Sequence, residues 1–435
     1  MISKELLKEI IIENKKFILD LPIIISRKKN ILPPENLNKA VILYGVRRSG
    51  KSFMLFEIFK NHLDSSLYID FEDERLSDIK ITDMESVRSA FFELNPELLK
   101  NKKNVYFLFD EIQNVDNWEK FVRRIAEKEN INVFCAGSSS DITPKKIHTA
   151  LRGRSWNIEI SPFSFKEFLE LKLFGKDMNL NDMFYGDNKI IIKNYFDEYL
   201  NFGGFPEIIL ANSEFEKKKL LKEYLDAMFF KDLVERYNIK NIRLIEALKD
   251  KLFSSFSTKL SLTSIYKQYK DNFPFSKDSL YSYYNYFLES MLVFEVGKFT
   301  ESVYKRLRNS AKIYLPDTGL CRRLSSPDFG RMLENLTFIE LKKAYEEIFY
   351  YDGKRKCDFI ASKGGNFLAL QVSWELNEIN KERELEGLVE AAGLFNLKEG
   401  IIITYDMEDS LIYHNLKINV VPFWKWSINS RRLIL

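Results

Sequence analysis

The sequence predicts an α/β chain whose first module is a parallel sheet carrying a phosphate-binding loop, and two observations carry that prediction. Residues 45–52, Gly-Val-Arg-Arg-Ser-Gly-Lys-Ser, match G-x-x-x-x-G-K-[ST]. They stand between an apolar run (Val41–Tyr44) and a helix-compatible stretch (Ser52–His62), the strand–loop–helix context the pattern requires. Residues 104–113 are apolar from Val105 to Phe109 and turn acidic at Asp110 and Glu111, the form of a buried strand with carboxylates at its carboxyl end.

The chemistry of the loop follows from its residue types. Glycines let the backbone curl so that successive N–H groups of Gly45, Val46, Arg47, Arg48, Ser49 and Gly50 face an anion, and the helix that follows adds its positive N-terminal end. Lys51 reaches the β- and γ-phosphates of ATP, and the Ser52 hydroxyl is a ligand for Mg²⁺. Asp110 is expected on a strand beside the loop strand, holding the same Mg²⁺ through water or Ser52. Glu111 is placed to polarise the attacking water as a general base.

Composition bounds the rest. The chain has 435 residues, 45% hydrophobic and 30% charged, ordinary for globular protein and long enough for two to four domains. Its 66 basic and 63 acidic residues leave a net charge of +3, too balanced to argue for nucleic acid without a local basic patch. Three scattered cysteines (Cys135, Cys321, Cys357) and three histidines argue against a disulfide framework and a structural zinc site. The N-terminus alternates charged and apolar residues unlike a signal peptide, and no apolar run reaches 18 residues, so the chain reads as cytoplasmic with no membrane partner.

Taken in order, residues 1–20 show helical periodicity at Leu6, Ile10, Ile11, Phe17 and Ile18, and Pro33-Pro34 breaks the chain before the first strand. Ser66–Asp73 reads as a second strand ending in acids. Trp118–Glu129 is helical, and Ile131–Ser140 is a fourth buried strand ending at Ser138, Ser139 and Ser140. In P-loop ATPases with an additional strand, a polar residue here contacts the γ-phosphate or the water, the role expected of Ser138. Leu151-Arg-Gly-Arg supplies Arg152 and Arg154 as candidate arginine fingers, a role that goes with a homo-oligomer if the arginine comes from a neighbouring subunit.

These stretches, with Ile160–Leu169, Phe202-Gly-Gly-Phe-Pro-Glu and Phe230–Ile239, resemble landmarks of archaeal and bacterial AAA-type P-loop ATPases that carry a C-terminal restriction-endonuclease-like domain. The resemblance spans essentially the whole chain. The expected fold class is therefore a P-loop NTPase parallel sheet with a helical lid, followed by a winged helix and an endonuclease-like α/β domain. The boundaries are 1–159, 160–240, 241–300 and 301–435.

In the third module, a helix (Ile242–Phe256), a second from Ser261, a third from Ser276 and a strand (Leu292–Val296) follow the order of a winged helix, which the resemblance also implies. Lys277, Ser279, Ser282 and Tyr283 lie on faces that can meet a DNA groove, with Lys298, Lys305, Arg306 and Arg308 near the wing. Tyr281, Tyr284, Phe287 and Leu288 read as core. Such modules also dock proteins, so DNA and a protein are both candidate partners.

In the last module, a helix (Phe329–Glu347), a strand pair and a Gly364-Gly365 hairpin resemble the nuclease core, where a helix acid, an Asp and a Glu-x-Lys triplet hold one metal. Those positions map to Glu340, Asp358, Gln371 and Ser373. Gln371 is neutral where a carboxylate is needed, and Ser373 carries no cation, so cleavage is not expected. Three classes of role compete: a nucleotide-driven switch acting on DNA, a regulatory ATPase docking a protein, and an ATP-gated metal-dependent nuclease.

Overall fold

The computed structural model describes residues 2–22, 27, 32–34, 37–137, 142, 151, 153–173, 184–300, 309–321 and 328–429. Contacts divide the chain into two compact units, 1–161 and 162–435. Ser138, Ser139, Ser140, Arg152, Lys305, Arg306 and Arg308 lie outside the described residues.

The first unit opens with α1 (Lys4–Asp20), capped by Ser3 Oγ, which accepts from Leu6 N at 3.2 Å. Leu7, Ile10, Ile11 and Ile18 are buried at helical spacing, whereas Phe17 is 55% exposed and meets Phe56 edge to face. After it come β1 (Ala40–Tyr44), α2 (Lys51–Asn61), β2 (Ser66–Asp70), α3 (Met84–Leu94), β3 (Tyr106–Asp110), α4 (Trp118–Glu129), β4 (Asn132–Ala136) and β5 (Ser155–Glu159). The five strands pair in parallel in the order β2-β3-β4-β1-β5.

This order corrects one expectation. The Asp110 strand is not beside the loop strand, because β4 is inserted between β1 and β3. Both faces of the sheet are covered, which is why its strands read as continuous apolar runs rather than alternating ones. Met54, Leu55 and Phe59 of α2 pack on Val41, Leu43, Leu108 and Phe134. On the other face Leu7 and Ile10 of α1, Val87 and Phe91 of α3, and Val122 and Ile125 of α4 cover Ile42, Leu67, Ile69, Phe107 and Phe109.

The second unit begins with α5 (Phe165–Lys172), held by a capping box between Ser164 and Glu167. α6 (Gly186–Phe202), α7 (Pro206–Leu210) and α8 (Glu214–Phe229) follow. This segment, read as a lid, packs within the second unit, with Phe196 stacked on Phe423 at 5.4 Å between ring centres. Then come α9 (Ile242–Ser254), β6 (Thr258–Leu260), α10 (Leu262–Tyr269), α11 (Lys277–Glu289), β7 (Phe294–Lys298) and β8 (Ala311–Tyr314). β8 pairs antiparallel with both β6 and β7. Tyr284 and Phe287 of α11 are core as expected, but Tyr281 is 43% exposed.

The chain ends with α12 (Thr318–Cys321), α13 (Phe329–Ala344), β9 (Glu347–Asp352), β10 (Lys356–Lys363), β11 (Asn366–Val372), α14 (Lys381–Gly393), β12 (Glu399–Thr404), β13 (Asp409–Tyr413), β14 (Leu416–Pro422) and α15 (Phe423–Asn429). β7 pairs with β9, so the strands join one sheet ordered β13-β14-β12-β11-β10-β9-β7-β8-β6. The three cysteines are buried and free, and no described helix is long and apolar enough to cross a membrane.

Candidate nucleotide-binding site

β1 ends at Tyr44 and the chain turns at Gly45, whose φ is +150°. A side chain there is impossible, since a Cβ would lie 2.1 Å from the Ile160 carbonyl oxygen. The loop continues through Val46, Arg47, Arg48 (φ +67°) and Ser49 to Gly50 (φ +97°), the N-cap residue of α2. Gly50 offers no side-chain cap to α2, and the N-terminal end of such a helix attracts an anion. Arg27, itself buried, donates to the carbonyls of Ser49 (3.3 Å) and Ser161 (2.9 Å) and so ties the loop to the end of β5.

Lys51 is only 6% exposed and its ammonium donates to the carbonyls of Gly45 (3.0 Å) and Val46 (3.2 Å). The buried charge is thus held inside the loop that surrounds it. Ser49 is fully buried and its hydroxyl has no partner among the described residues, an orphaned polar group of the kind that marks an unfilled hydrogen-bonding role.

At the sheet's carboxyl edge, the Asp110 carboxylate is 2% exposed and is hydrogen-bonded by the Ser52 hydroxyl and by Tyr68 Oη at 3.1 Å. Burial, with the neighbouring Glu111 charge, pushes its pKa up to about 6, while the two hydroxyl donors pull it down. Burial also raises Asp70 on the adjacent strand. A carboxylate pair so desolvated is an attractive seat for a cation. Glu111 has φ +45°, a left-handed conformation strained for a residue with a side chain. That turn ends β3 and sends the Glu111 carboxylate to Gln113, whose side-chain amide donates to it.

Ser52 thus meets Asp110 although β4 lies between their strands, and Lys51 and Glu111 are their neighbours along the chain. Arg154 is half exposed, and its guanidinium meets Glu127 at 2.5 Å. Two further residues were not singled out from sequence. Tyr68 looks like one more apolar position of β2, and only the strand pairing aims its hydroxyl at Asp110. Gln113 lies two residues beyond Glu111, and it packs against the end of β4, where a Cβ on Gly137 would fall 2.0 Å from its Oε1.

The second unit corrects the mapped nuclease positions. Asp358 is bound not to Glu340 but to Lys312, whose ammonium also holds Glu334, each at 2.9 Å. Glu340 pairs with Lys343 at 3.1 Å. The reason is helical geometry: six residues along α13 turn the side chain by about 240° beyond one full circle, onto another face. Gln371 Oε1 accepts from Asp358 N at 2.9 Å and its amide donates to Glu384, while the Ser373 hydroxyl donates to the Glu375 carbonyl at 2.7 Å.

Comparison with known proteins agrees with the first unit's architecture. A family model described as an AAA domain matches residues 37–169, and one described as a domain of unknown function (DUF8612) matches residues 193–329. An uncharacterized protein of Methanocaldococcus jannaschii, MJ1544, is 39% identical over 98% of this chain and 96% of its own length. An uncharacterized protein of Haemophilus influenzae is 27% identical over 79% of this chain and 84% of its own. A Thermotoga maritima RuvB structure covers 71% of this chain and 96% of its own at 14% identity, with a TM-score of 0.29, too loose a superposition to bear on the argument. The five-stranded parallel sheet is that of a P-loop NTPase, and the chain belongs to the family of the M. jannaschii protein MJ1544, with an AAA domain at residues 37–169.

Proposed function

We propose that this chain binds ATP with Mg²⁺ in its first unit, hydrolyses it, and uses the cycle as a switch acting on DNA through the second unit. The observation that carries the first part is the buried Asp110–Ser52 hydrogen bond beside Glu111 at the mouth of the loop.

The residues fit the group. The amides from Val46 to Ser52 receive the phosphates, and the orphaned Ser49 hydroxyl lies within the same loop. Lys51 exchanges its contacts with the Gly45 and Val46 carbonyls for the phosphate oxygens. Ser52 and Asp110 hold the metal, which when bound neutralises charge on the transferring phosphoryl group. Among the described residues no three His, Cys, Asp or Glu side chains cluster to hold a metal. Ser52 and Asp110 would be the oxygens this chain offers to magnesium, an ion that commonly keeps several waters. Glu111 orients the attacking water and accepts its proton. Ser138, Arg152 and Arg154 are assigned the remaining contacts to the γ-phosphate, the arginines acting across a homo-oligomer.

For the second unit, the order helix–strand–helix–helix–strand–strand over residues 242–314 supports a winged helix. The α13–β9–β10–β11–α14–β12 run supports an endonuclease-like domain. A second reading, docking of a protein partner, is favoured by the outer face of α11, where Lys277, Asp278, Tyr281 and Asn285 are exposed and carry no net charge. Measuring ATP hydrolysis with and without duplex, branched and single-stranded DNA separates the two. Stimulation that weakens steeply with salt supports DNA, and hydrolysis indifferent to every DNA supports the protein partner.

A further inference from the structure

The centre where an endonuclease-like domain holds its metal has a different occupant here. Lys312 and Tyr314 are two residues apart on β8 and so share one face of the strand. Both reach Glu334 of α13, Tyr314 Oη at 2.7 Å and Lys312 Nζ at 2.9 Å. A register shift in β10 between Cys357 and Ile360 sets Asp358 apart from the regular ladder, as bulges do. Its Oδ1 takes the same ammonium at 2.9 Å and its Oδ2 accepts from Val372 N at 3.1 Å. The side chains of Lys312, Glu334 and Asp358 are only 13%, 13% and 17% exposed.

We propose that Lys312 is a built-in cation, its ammonium standing between Glu334 and Asp358 where a divalent metal would otherwise sit, so that this centre is a metal-free, non-cleaving lock between β8, α13 and β10. The inference rests on the endonuclease-like reading above. An ammonium carries three donors, and two are spent on the carboxylates a metal needs. The third metal-binding position of the fold is Gln371, which is neutral and already bonded to Asp358 N and Glu384. A metal entering the site must therefore displace Lys312 and leave its charge buried and unpaired, which is costly.

The test is thermal unfolding of the full chain with and without MnCl₂, in the unaltered protein and in Asp358→Asn, Lys312→Met and the double variant. The unaltered protein and Asp358→Asn respond alike to Mn²⁺, and plasmid DNA incubated with Mn²⁺ stays intact. Lys312→Met gains a Mn²⁺-dependent rise of ~3 °C or more, which the double variant loses. A Mn²⁺ response of the unaltered protein that Asp358→Asn abolishes overturns the built-in cation while leaving the endonuclease-like reading standing. A folded Lys312→Met chain that takes no Mn²⁺ also overturns the built-in cation, and it leaves the endonuclease-like reading standing. If Lys312→Met does not fold, the comparison of the unaltered protein with Asp358→Asn decides alone.

Discussion

Asp317 and Gly203 occupy adjoining space so closely that a Cβ on Gly203 would fall 1.6 Å from Asp317 Oδ1. The carboxylate caps the Gly203-Gly204 turn, accepting from Gly204 N at 2.7 Å and from Gly319 N at 2.8 Å. Residues 113 positions apart thereby lock the helical segment of the second unit to the segment that precedes α13. Gly203 also has φ +76°, so Gly203→Ala adds backbone strain to the clash. The expected loss is about 3 kcal/mol, read from the denaturation midpoint. Gly186→Ala is the control: its φ is +57° but nothing lies within 4 Å of a Cβ there, and the cost is about 1 kcal/mol.

The same carboxylate makes stability depend on pH. Burial pushes Asp317 from its ordinary 3.8 up to about 7, against the pull of its two backbone donors. A carboxyl raised in the folded state binds its proton more tightly there than in the unfolded chain. Its contribution is full below pH ~4 and is lost as pH rises toward 7, with a slope of up to about 1.4 kcal/mol per pH unit. Melting temperature against pH, compared between the unaltered protein and Asp317→Asn, isolates it. The variant is less stable at low pH, since its amide faces a backbone donor, but lacks this slope. An unchanged slope in the variant shows that another group titrates.

At the nucleotide site, the roles of Lys51 and Glu111 separate in mutants. Lys51→Ala removes the buried ammonium from the loop and weakens ATP binding at least ~100-fold, about 3 kcal/mol. Glu111→Gln keeps the shape and retains binding within about threefold, while turnover falls at least ~100-fold. Equilibrium binding of a fluorescent ATP analogue and steady-state hydrolysis read the two effects. Normal turnover in Glu111→Gln removes Glu111 as the base.

Gln113 holds the carboxylate that Glu111 uses, so its truncation tests positioning rather than chemistry. Gln113→Ala lowers kcat about tenfold and leaves KM unchanged, and Gln113→Asn restores part of the loss. An equal fall in ATP affinity points to a disturbed loop instead, because Gln113 also packs on Gly137 at the end of β4.

The features legible in the sequence are those that depend on neighbours along the chain. The phosphate loop is a run of eight residues whose conformation is local, and Asp110-Glu111 follows an apolar strand without a gap. The helix that starts after Ser276 is legible in the same way, its cap residue standing at its head. Phe17 and Tyr281 misled because helical spacing says which residues share a face and nothing about whether another element covers it.

The α/β sheet, the loop and the order of its acids are encoded locally, because backbone propensity and burial pattern act over a few residues. Tertiary structure alone decided which strand lies between β1 and β3, that Tyr68 reaches Asp110, and that Glu334 rather than Glu340 faces Asp358. It also decided that Lys312 closes that pair and that Asp317 fills the space beside Gly203. Each of these contacts joins residues far apart in the chain, and long-range pairing depends on how whole faces pack.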